Sequence, residues 1–177
     1  MNIIDILKND GVGVLATDTV YGVVGVLSSP IAVERIYKVK KRSPHKPVGT
    51  ILIASVEQLD GMVEKDLVNI AAKYWPGPTS VVLPVGAEME YAHKGLSGLP
   101  FRIPDDEHLV SILRQTGPLA TSSANLESNA PAMNIGQAKQ YFGHTVDFYE
   151  DSGDLFDRLP SKIIKILKDG NIQKIRS

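Results

Sequence analysis

The 177-residue chain is long enough for one domain with a sizeable core, and its 43% hydrophobic and 22% charged residues are typical of a soluble globular protein. Its formal net charge of −1 excludes a global basic field that would recruit nucleic acid, so any anion-binding surface must be local. The chain has no cysteine, which excludes disulfides, cysteine-ligated zinc and a thiolate nucleophile. Because it shows neither a signal-peptide pattern nor an apolar run of bilayer length, we expect a cytoplasmic protein.

The apolar periodicity alternates between helical and strand-like segments along the chain. In chain order, the first half predicts a helix over residues 3–8, strands over 12–16 and 23–27, a helix from Pro30 to before Pro44, a strand over 48–54, a helix over 64–74 and a strand over 79–85. The second half predicts a strand over 99–103, a helix over 106–115, a strand over 118–121, a helix over 135–141, and strands over 146–149, 162–167 and 172–175. This interleaving predicts an α/β fold, with a single domain over residues 1–177 and a twisted mixed β-sheet flanked by helices.

Polar side chains are concentrated where two of the predicted strands end. Thr17-Asp18-Thr19 follows the first strand, and Thr121-Ser122-Ser123-Ala124-Asn125 lies at the end of the strand predicted over 118–121. Hydroxyl, carboxylate and amide groups gathered at one place suit a small polar ligand. For either cluster alone, a turn rich in hydrogen-bonding side chains is the simpler interpretation.

A basic stretch follows, with six of the 19 lysines and arginines within twelve positions. Its members are Arg35, Lys38, Lys40, Lys41, Arg42 and Lys46. A solvated helix end accounts for one or two such cations through its dipole, but the stretch continues past Pro44, where the helix must have ended. Cations beside hydroxyl-rich strand ends favour a phosphate or carboxylate site.

A single arginine, Arg102, lies in the apolar segment Phe101-Arg102-Ile103-Pro104. An unpaired buried guanidinium is costly, so we expect Arg102 either to pair with an acid such as Asp105 or to bind an anionic ligand. If Arg102, the basic stretch and the two polar strand ends converge on one crevice, that crevice suits a zwitterionic small molecule and a nucleotide phosphate.

Two other patterns do not predict a site. The segment Gly11-Val12-Gly13-Val14-Leu15-Ala16 matches a dinucleotide fingerprint, but its glycines begin a strand instead of opening a helix. The histidines show no metal-ligand spacing, so no protein-bound metal is expected and all four are predicted at the surface: His45, His93, His108 and His144.

Several segments, in order, resemble the motifs of the YrdC/TsaC family of threonylcarbamoyl-AMP synthases. The matching segments cover nearly the whole chain: Thr17-Asp18-Thr19-Val20-Tyr21-Gly22, Ile36-Tyr37-Lys38-Val39-Lys40-Lys41-Arg42, Lys46-Pro47, Tyr74-Trp75-Pro76-Gly77-Pro78-Thr79, Phe101-Arg102-Ile103-Pro104 and Ser122-Ser123-Ala124-Asn125. One segment alone is a weak signal, whereas the ordered set is highly specific. The resemblance is to the single-domain form of the family, which lacks the extra C-terminal domain of longer relatives.

The resemblance implies a YrdC-like fold and a nucleotidyltransferase that forms threonylcarbamoyl-AMP and pyrophosphate from L-threonine, bicarbonate or CO2, and ATP. The product would serve tRNA threonylcarbamoyladenosine modification through downstream threonylcarbamoyl-transfer proteins. Mg²⁺ would be carried by the ATP phosphates, which requires few protein ligands. The alternative is a non-catalytic module that binds double-stranded RNA or tRNA through the same basic surface.

The resemblance also implies roles for individual residues. L-threonine would contact Thr19, Arg102 and Thr121. The residues implied at ATP are Lys40, Arg42, Lys46, Ser123, Asn125, Ser161 and Arg176, with Lys40 and Arg42 catalytic at the phosphates. The chain departs from the family pattern after Asn125, where Leu126-Glu127-Ser128-Asn129 stands in place of a small residue followed by Ser-Gly.

Overall fold

The computed structural model describes residues 2–167 and 169–177. The α-helices are α1 (Ile3–Lys8), α2 (Pro30–Lys40), α3 (Lys65–Ala71), α4 (Glu90–His93), α5 (Glu107–Thr116) and α6 (Ile135–Phe142). The strands are β1 (Gly13–Ala16), β2 (Tyr21–Val26), β3 (Thr50–Leu52), β4 (Thr79–Pro84), β5 (Gly98–Arg102), β6 (Leu119–Ser123), β7 (Phe148–Tyr149), β8 (Lys162–Ile166) and β9 (Ile172–Arg176). Short 3₁₀ helices cover Val56–Leu59, Ala72–Tyr74 and Ala87–Met89.

The strands that the structure describes form one sheet of nine, in the order β7-β1-β2-β6-β3-β5-β4-β8-β9. Three neighbouring pairs are parallel, namely β1 with β7, β3 with β5, and β4 with β8. The other neighbours are antiparallel. The predicted α/β class with a mixed sheet is therefore confirmed.

Alternating side chains of the central strands pack into two cores, one on each face of the sheet. Val14 and Val23 belong to the larger core, which also contains the buried apolar residues of α2, α3, α4 and α6. Leu15 and Val24, their neighbours in sequence, belong to the smaller core beneath α1 and α5. Because successive strand residues point to opposite faces, this pattern places helices on both sides of the sheet.

Helix α2 begins and ends at signals present in the sequence. The Ser29 hydroxyl accepts a hydrogen bond from the backbone N–H of Ala32 at 3.0 Å, and Pro30 occupies the first helical position. At the other end, Lys41 adopts a left-handed conformation with φ of +50° and stops the helix three residues before Pro44. The chain therefore changes direction inside the basic stretch.

Some element boundaries differ from the sequence predictions. The strand predicted over 48–54 is limited to Thr50–Leu52, because Gly49 has a φ of +141° and interrupts the extended backbone. The helix predicted over 64–74 is α-helical only to Ala71 and finishes as a 3₁₀ turn. Helix α4 was not predicted, because four residues are too few to establish a periodicity.

His93 corrects the prediction that all four histidines lie at the surface. Its side chain is buried at the end of α4, where Nδ1 accepts a hydrogen bond from the backbone N–H of Ser97 at 3.2 Å. This bond closes the turn before β5, so His93 has a structural contact that its isolated position in the sequence did not reveal. Across the described ranges, no helix is long and apolar enough to cross a membrane.

Gly49 lies where the loop after α2 passes closest to β6. A Cβ atom at this position would lie 2.1 Å from the Thr121 carbonyl oxygen, on backbone with a φ of +141°. We expect Gly49→Ala to reduce the free energy of unfolding by about 3 kcal/mol, because it combines a backbone clash with a strained conformation. Urea denaturation monitored by circular dichroism measures the loss.

Gly61→Ala is the matched control, because Gly61 has a φ of +76° and no atom within 4 Å of the added Cβ. Its loss should be about 1 kcal/mol, the strain of the conformation alone. Equal losses for the two variants would contradict the importance of the close approach to Thr121.

Candidate active site

The turn between β1 and β2 is held by its own threonines. The Thr17 hydroxyl donates to the Val20 carbonyl oxygen at 2.7 Å and accepts from the backbone N–H of Thr19 at 3.1 Å. Thr17 and Thr19 are both buried, and their hydroxyl oxygens lie 2.9 Å apart. These bonds fix the turn and present the Asp18 carboxylate to the end of β5.

Arg102, the last residue of β5, is 2% exposed and forms an ion pair with Asp18. Its Nη1 donates to the Asp18 carboxylate, and its Nη2 donates to the Thr19 hydroxyl at 3.3 Å. The acid suggested from the sequence, Asp105, contributes only its backbone N–H, which donates to Asp18 at 3.2 Å. The sequence pointed to Asp105 because it is near in the chain, whereas folding brings the β1–β2 turn against β5.

One donor of the Arg102 guanidinium remains unused. Nε is the one buried side-chain nitrogen or oxygen without a hydrogen-bond partner among the residues that the structure describes. Burial lowers the pKa of Arg102 from its ordinary value, and the Asp18 carboxylate opposes that shift. A buried N–H donor without an acceptor is unfavourable, so this nitrogen adds to the cost of burying the guanidinium.

Arg102 faces a cavity of about 320 Å³ at one end of the central strands. The predicted convergence of the two polar strand ends and Arg102 is confirmed, because residues of both clusters line this space. The lining includes seven of the implied site residues: Thr19, Arg42, Arg102, Thr121, Ser123, Ser161 and Arg176. Within the described chain the lining contains three arginines and no acidic residue, so the cavity suits an anionic or zwitterionic ligand.

Arg42 and Lys40, both implied at the phosphates, point in different directions. Arg42 follows the left-handed Lys41, lines the cavity and donates through Nε and Nη2 to the Pro47 carbonyl oxygen at 3.0 and 2.8 Å. Lys40 is 2% exposed, and its Nζ donates to the Ser123 carbonyl and to the Asn125 carbonyl at 2.7 Å. Burial, followed by the charge of Arg42, lowers the pKa of Lys40 to about 7.

Asn125 organises the loop that follows β6. Its side-chain oxygen accepts from the Ser123 hydroxyl at 2.6 Å and from Lys40 Nζ at 3.3 Å. Its side-chain nitrogen donates to the carbonyl oxygens of Leu126 and Asn129, both at 2.9 Å. Every polar atom of this side chain is therefore engaged within the loop, and Asn125 shapes the wall next to Ser123.

Three implied ATP residues do not line the cavity within the described part of the chain: Lys40, Lys46 and Asn125. Lys40 and Asn125 form the support of the Ser123 loop. Lys46 lies at the surface and forms an ion pair with Glu127, with 57% of its side chain exposed.

The C-terminal hairpin supplies the opposite wall of the cavity. Arg176 on β9 donates through Nε and Nη2 to the Ser161 carbonyl oxygen at 3.0 and 2.6 Å. The Ser161 hydroxyl lies 2.9 Å from that of Ser80, which lies 3.1 Å from that of Thr50. Three hydroxyl groups thus connect β8 to β3 across the sheet.

Sequence reasoning missed three contributors to this region. Thr50 and Ser80 lie within the first three residues of the strands predicted over 48–54 and 79–85, and a hydroxyl residue near the start of an otherwise apolar strand was the available signal. Arg158 Nη1 donates to the Thr17 carbonyl oxygen at 2.9 Å and ties the segment before β8 to the β1–β2 turn. Arg158 lies in a polar stretch without periodicity, which gave no signal.

The described residues contain no group of three or more histidines, aspartates and glutamates that could hold a metal ion. With hydroxyls, guanidinium groups and backbone atoms around the cavity, the arrangement can position polar and anionic groups and stabilise negative charge.

The chain matches the Sua5/YciO/YrdC family model, described as telomere recombination, over residues 5–177. It belongs to this family. The resemblance drawn from the ordered sequence motifs is therefore confirmed. The crevice predicted from the sequence corresponds to the cavity described above.

Two curated relatives in the family are named threonylcarbamoyl-AMP synthase. The protein from Marinobacter nauticus is 34% identical over 143 residues, covering 77% of this chain and 74% of the relative. The protein from Idiomarina loihiensis is 29% identical over 167 residues, covering 89% of this chain and 89% of the relative. The crystal structure of P. abyssi Sua5 complexed with L-threonine aligns with a TM-score of 0.86 and 25% identity over 96% of this chain. The chain spans about half the length of that Sua5, at 51%.

The two adjacent lysines at the end of α2 allow the role of Lys40 to be tested. Lys40→Met should reduce the free energy of unfolding by about 3 kcal/mol, because it leaves buried carbonyl oxygens of the Ser123 loop without a donor. Chemical denaturation measures the loss, and hydrogen exchange of the loop amides reports whether the loop has opened.

Lys41→Met is the matched control, because Lys41 is exposed. It should change the free energy of unfolding by about 0.5 kcal/mol or less. If Lys40→Met is as stable as Lys41→Met, the Lys40 ammonium does not hold the loop and is available for a ligand.

Proposed function

We propose that this protein is a threonylcarbamoyl-AMP synthase that uses L-threonine, bicarbonate or CO2, and ATP. The observation that carries the proposal is a cavity lined by hydroxyls and three arginines, one of which is the buried Arg102 that pairs with Asp18. The proposal is supported by the family membership, by the names of the two relatives and by the L-threonine complex of P. abyssi Sua5.

In this proposal the amino acid binds at the inner end of the cavity. Its carboxylate faces the guanidinium of Arg102, whose orientation is fixed by Asp18. The hydroxyls of Thr19 and Thr121, both buried and both in the lining, contact the polar groups of L-threonine. A charged group and two hydroxyls around a small zwitterion provide the directional contacts that distinguish it from an apolar amino acid.

The nucleotide occupies the remainder of the cavity, with Arg42 and Arg176 facing its phosphates. Ser123 and Ser161 line the same space and offer hydroxyl donors. Mg²⁺ enters with ATP as the substrate complex, since phosphate oxygens and water satisfy its octahedral preference. Lys40 contributes by holding the end of β6, which carries Ser123, together with the loop that follows, and Asn125 acts through the same loop.

The reaction requires no nucleophile from the protein. The threonine amine adds to CO2 and loses a proton, and the resulting carbamate oxygen attacks the α-phosphorus of ATP while pyrophosphate leaves. Catalysis then consists of positioning two substrates and stabilising phosphate charge, which the guanidinium groups of Arg42 and Arg176 can supply. The product would serve tRNA threonylcarbamoyladenosine formation in the cytoplasm, passed to threonylcarbamoyl-transfer proteins.

The internal contacts of the basic stretch disfavour the alternative of an RNA-binding module. Arg35 pairs with Asp147, Lys38 with Glu34, and Lys46 with Glu127. Lys40 and Arg42 donate to backbone carbonyl oxygens instead. An RNA surface needs cations free to contact phosphates, and it would not need a buried arginine at the base of a cavity.

The function is tested by measuring pyrophosphate release from Mg-ATP with L-threonine and bicarbonate omitted in turn. We expect release to fall to the background rate in either omission, because the attacking carbamate forms from both. Release that continues without L-threonine would refute the proposal. Absence of release, together with RNA binding that weakens steeply with salt, would favour the RNA-binding alternative.

Arg102→Lys tests the amino-acid site while retaining a positive charge for Asp18. Lysine lacks the planar fork and the Nε donor, so we expect the KM for L-threonine to rise about tenfold or more, the scale of a lost charge-assisted hydrogen bond. The KM for ATP should change by about twofold or less. Steady-state pyrophosphate release gives both constants.

Arg35→Lys is the matched control, because Arg35 also pairs with an aspartate, at the surface and outside the cavity lining. It should leave both KM values unchanged. Equal increases in the two KM values for Arg102→Lys would show that Arg102 supports the fold of the whole site and does not select the amino acid.

A further inference from the structure

Glu127 is an acidic residue within a group of cations beside the cavity. Its Oε2 accepts a hydrogen bond from the backbone N–H of Ser43 at 2.7 Å, and its Oε1 pairs with Lys46 Nζ. The buried Lys40 and the half-buried Arg42 lie nearby, and the negative charge of Glu127 opposes the lowering of the pKa of both cations by burial. Glu127 is therefore the internal counter-ion of a cluster that is otherwise positive.

This contact adjoins the cavity. Ser43 and Lys46 lie between Arg42 and Pro47, which both line it, and Glu127 follows the lining residue Ser123 by four positions. The ion pair is accessible to solvent, with 27% of the Glu127 side chain and 57% of the Lys46 side chain exposed. The pair can therefore open without disturbing the buried core.

The two donors held by Glu127 suit a phosphate as well as they suit a carboxylate. A backbone N–H and a lysine ammonium beside a guanidinium are the groups that bind phosphate oxygens in proteins. The Lys46 contact, followed by the Ser43 N–H, lowers the pKa of Glu127, so the carboxylate is charged at neutral pH. A phosphate at these donors must displace that charge.

The Glu127 side chain is not needed to hold its loop in place. The backbone N–H of Glu127 donates to the Lys40 carbonyl oxygen at 3.1 Å. The two residues before Glu127 are also held, because Lys40 Nζ donates to the Asn125 carbonyl oxygen and the Asn125 side chain donates to the Leu126 carbonyl oxygen. The carboxylate is thus an addition to a loop that is already anchored.

We propose that Glu127 competes with the nucleotide's phosphates for the Ser43 N–H and the Lys46 ammonium, and so weakens nucleotide binding in this protein. The identity of the displaced ligand as a nucleoside triphosphate rests on the proposed function. In the ligand-free protein the carboxylate fills the anion site, and a polyphosphate binds only after the Glu127 side chain has left it. Glu127 thereby sets the nucleotide concentration at which the site fills.

Glu127→Gln tests the proposal, because the amide keeps the shape and can still accept from Ser43 but carries no charge. We expect isothermal titration calorimetry to show that inorganic tripolyphosphate and Mg-ATP each bind about five- to twentyfold more tightly to Glu127→Gln than to the unchanged protein. Glu127→Ser should act in the same direction. Thermal unfolding of each variant confirms that it is folded.

Glu34→Gln is the matched control, since Glu34 pairs with Lys38 on the outer surface of α2 and lies outside the cavity lining. It should not alter tripolyphosphate affinity. Unchanged or weaker binding by Glu127→Gln would overturn the proposal and would mean that the carboxylate only orders Lys46. Absence of tripolyphosphate binding by either protein would overturn it as well.

The calorimetric result separates this inference from the proposed function. If the protein releases no threonine-dependent pyrophosphate but Glu127→Gln tightens tripolyphosphate binding, the competition by Glu127 stands and the assigned reaction falls. If threonine-dependent release is present but tripolyphosphate binding does not tighten, the reaction stands and the role of Glu127 falls.

Discussion

The cavity depends on the ion pair between Asp18 and Arg102. Loss of hydration makes a lone guanidinium at the end of β5 unfavourable. The Asp18 carboxylate, which the β1–β2 turn presents to Arg102, offsets this desolvation cost. Asp18 in turn accepts from the Asp105 backbone, so both partners are held from two sides. Removing either one would leave a buried charge without compensation, at a cost of about 3–5 kcal/mol.

A second buried cation has a corresponding role on the other side of the cavity. Lys40 donates to the carbonyl oxygens of Ser123, the last residue of β6, and of Asn125, in the loop that follows. Apolar packing cannot satisfy such oxygens, whereas the buried Lys40 ammonium can. The two walls are therefore positioned by directional bonds to charged groups, which gives the site a defined shape although its residues come from distant parts of the chain.

The sequence was sufficient for most of the fold and for part of the site. Helix α1 and the start of α2 could be predicted because their periodicity and caps are local, and the family motifs identified seven residues of the cavity lining. The sequence was insufficient where the partner or direction of a side chain depended on which distant segments meet in the fold. Asp105 was the nearest acid to Arg102 in the chain, but the pairing acid came from the β1–β2 turn. Likewise, Lys40 and Arg42 share one motif, yet the left-handed Lys41 between them sends one inward and the other to the cavity.

The order of the strands gives the two walls of the cavity different mechanical properties. Thr121 and Ser123 lie on β6 near the centre of the sheet, whereas Ser161 and Arg176 belong to the outermost hairpin, whose last strand is exposed throughout. Edge elements open locally at a lower free energy than central strands. By this principle the wall on β6 is the more stable of the two, and the wall that β9 supplies opens at a lower free energy. A ligand that touches both must stabilise the closed hairpin by mass action, so occupancy of the site and the order of the sheet's edge are thermodynamically linked.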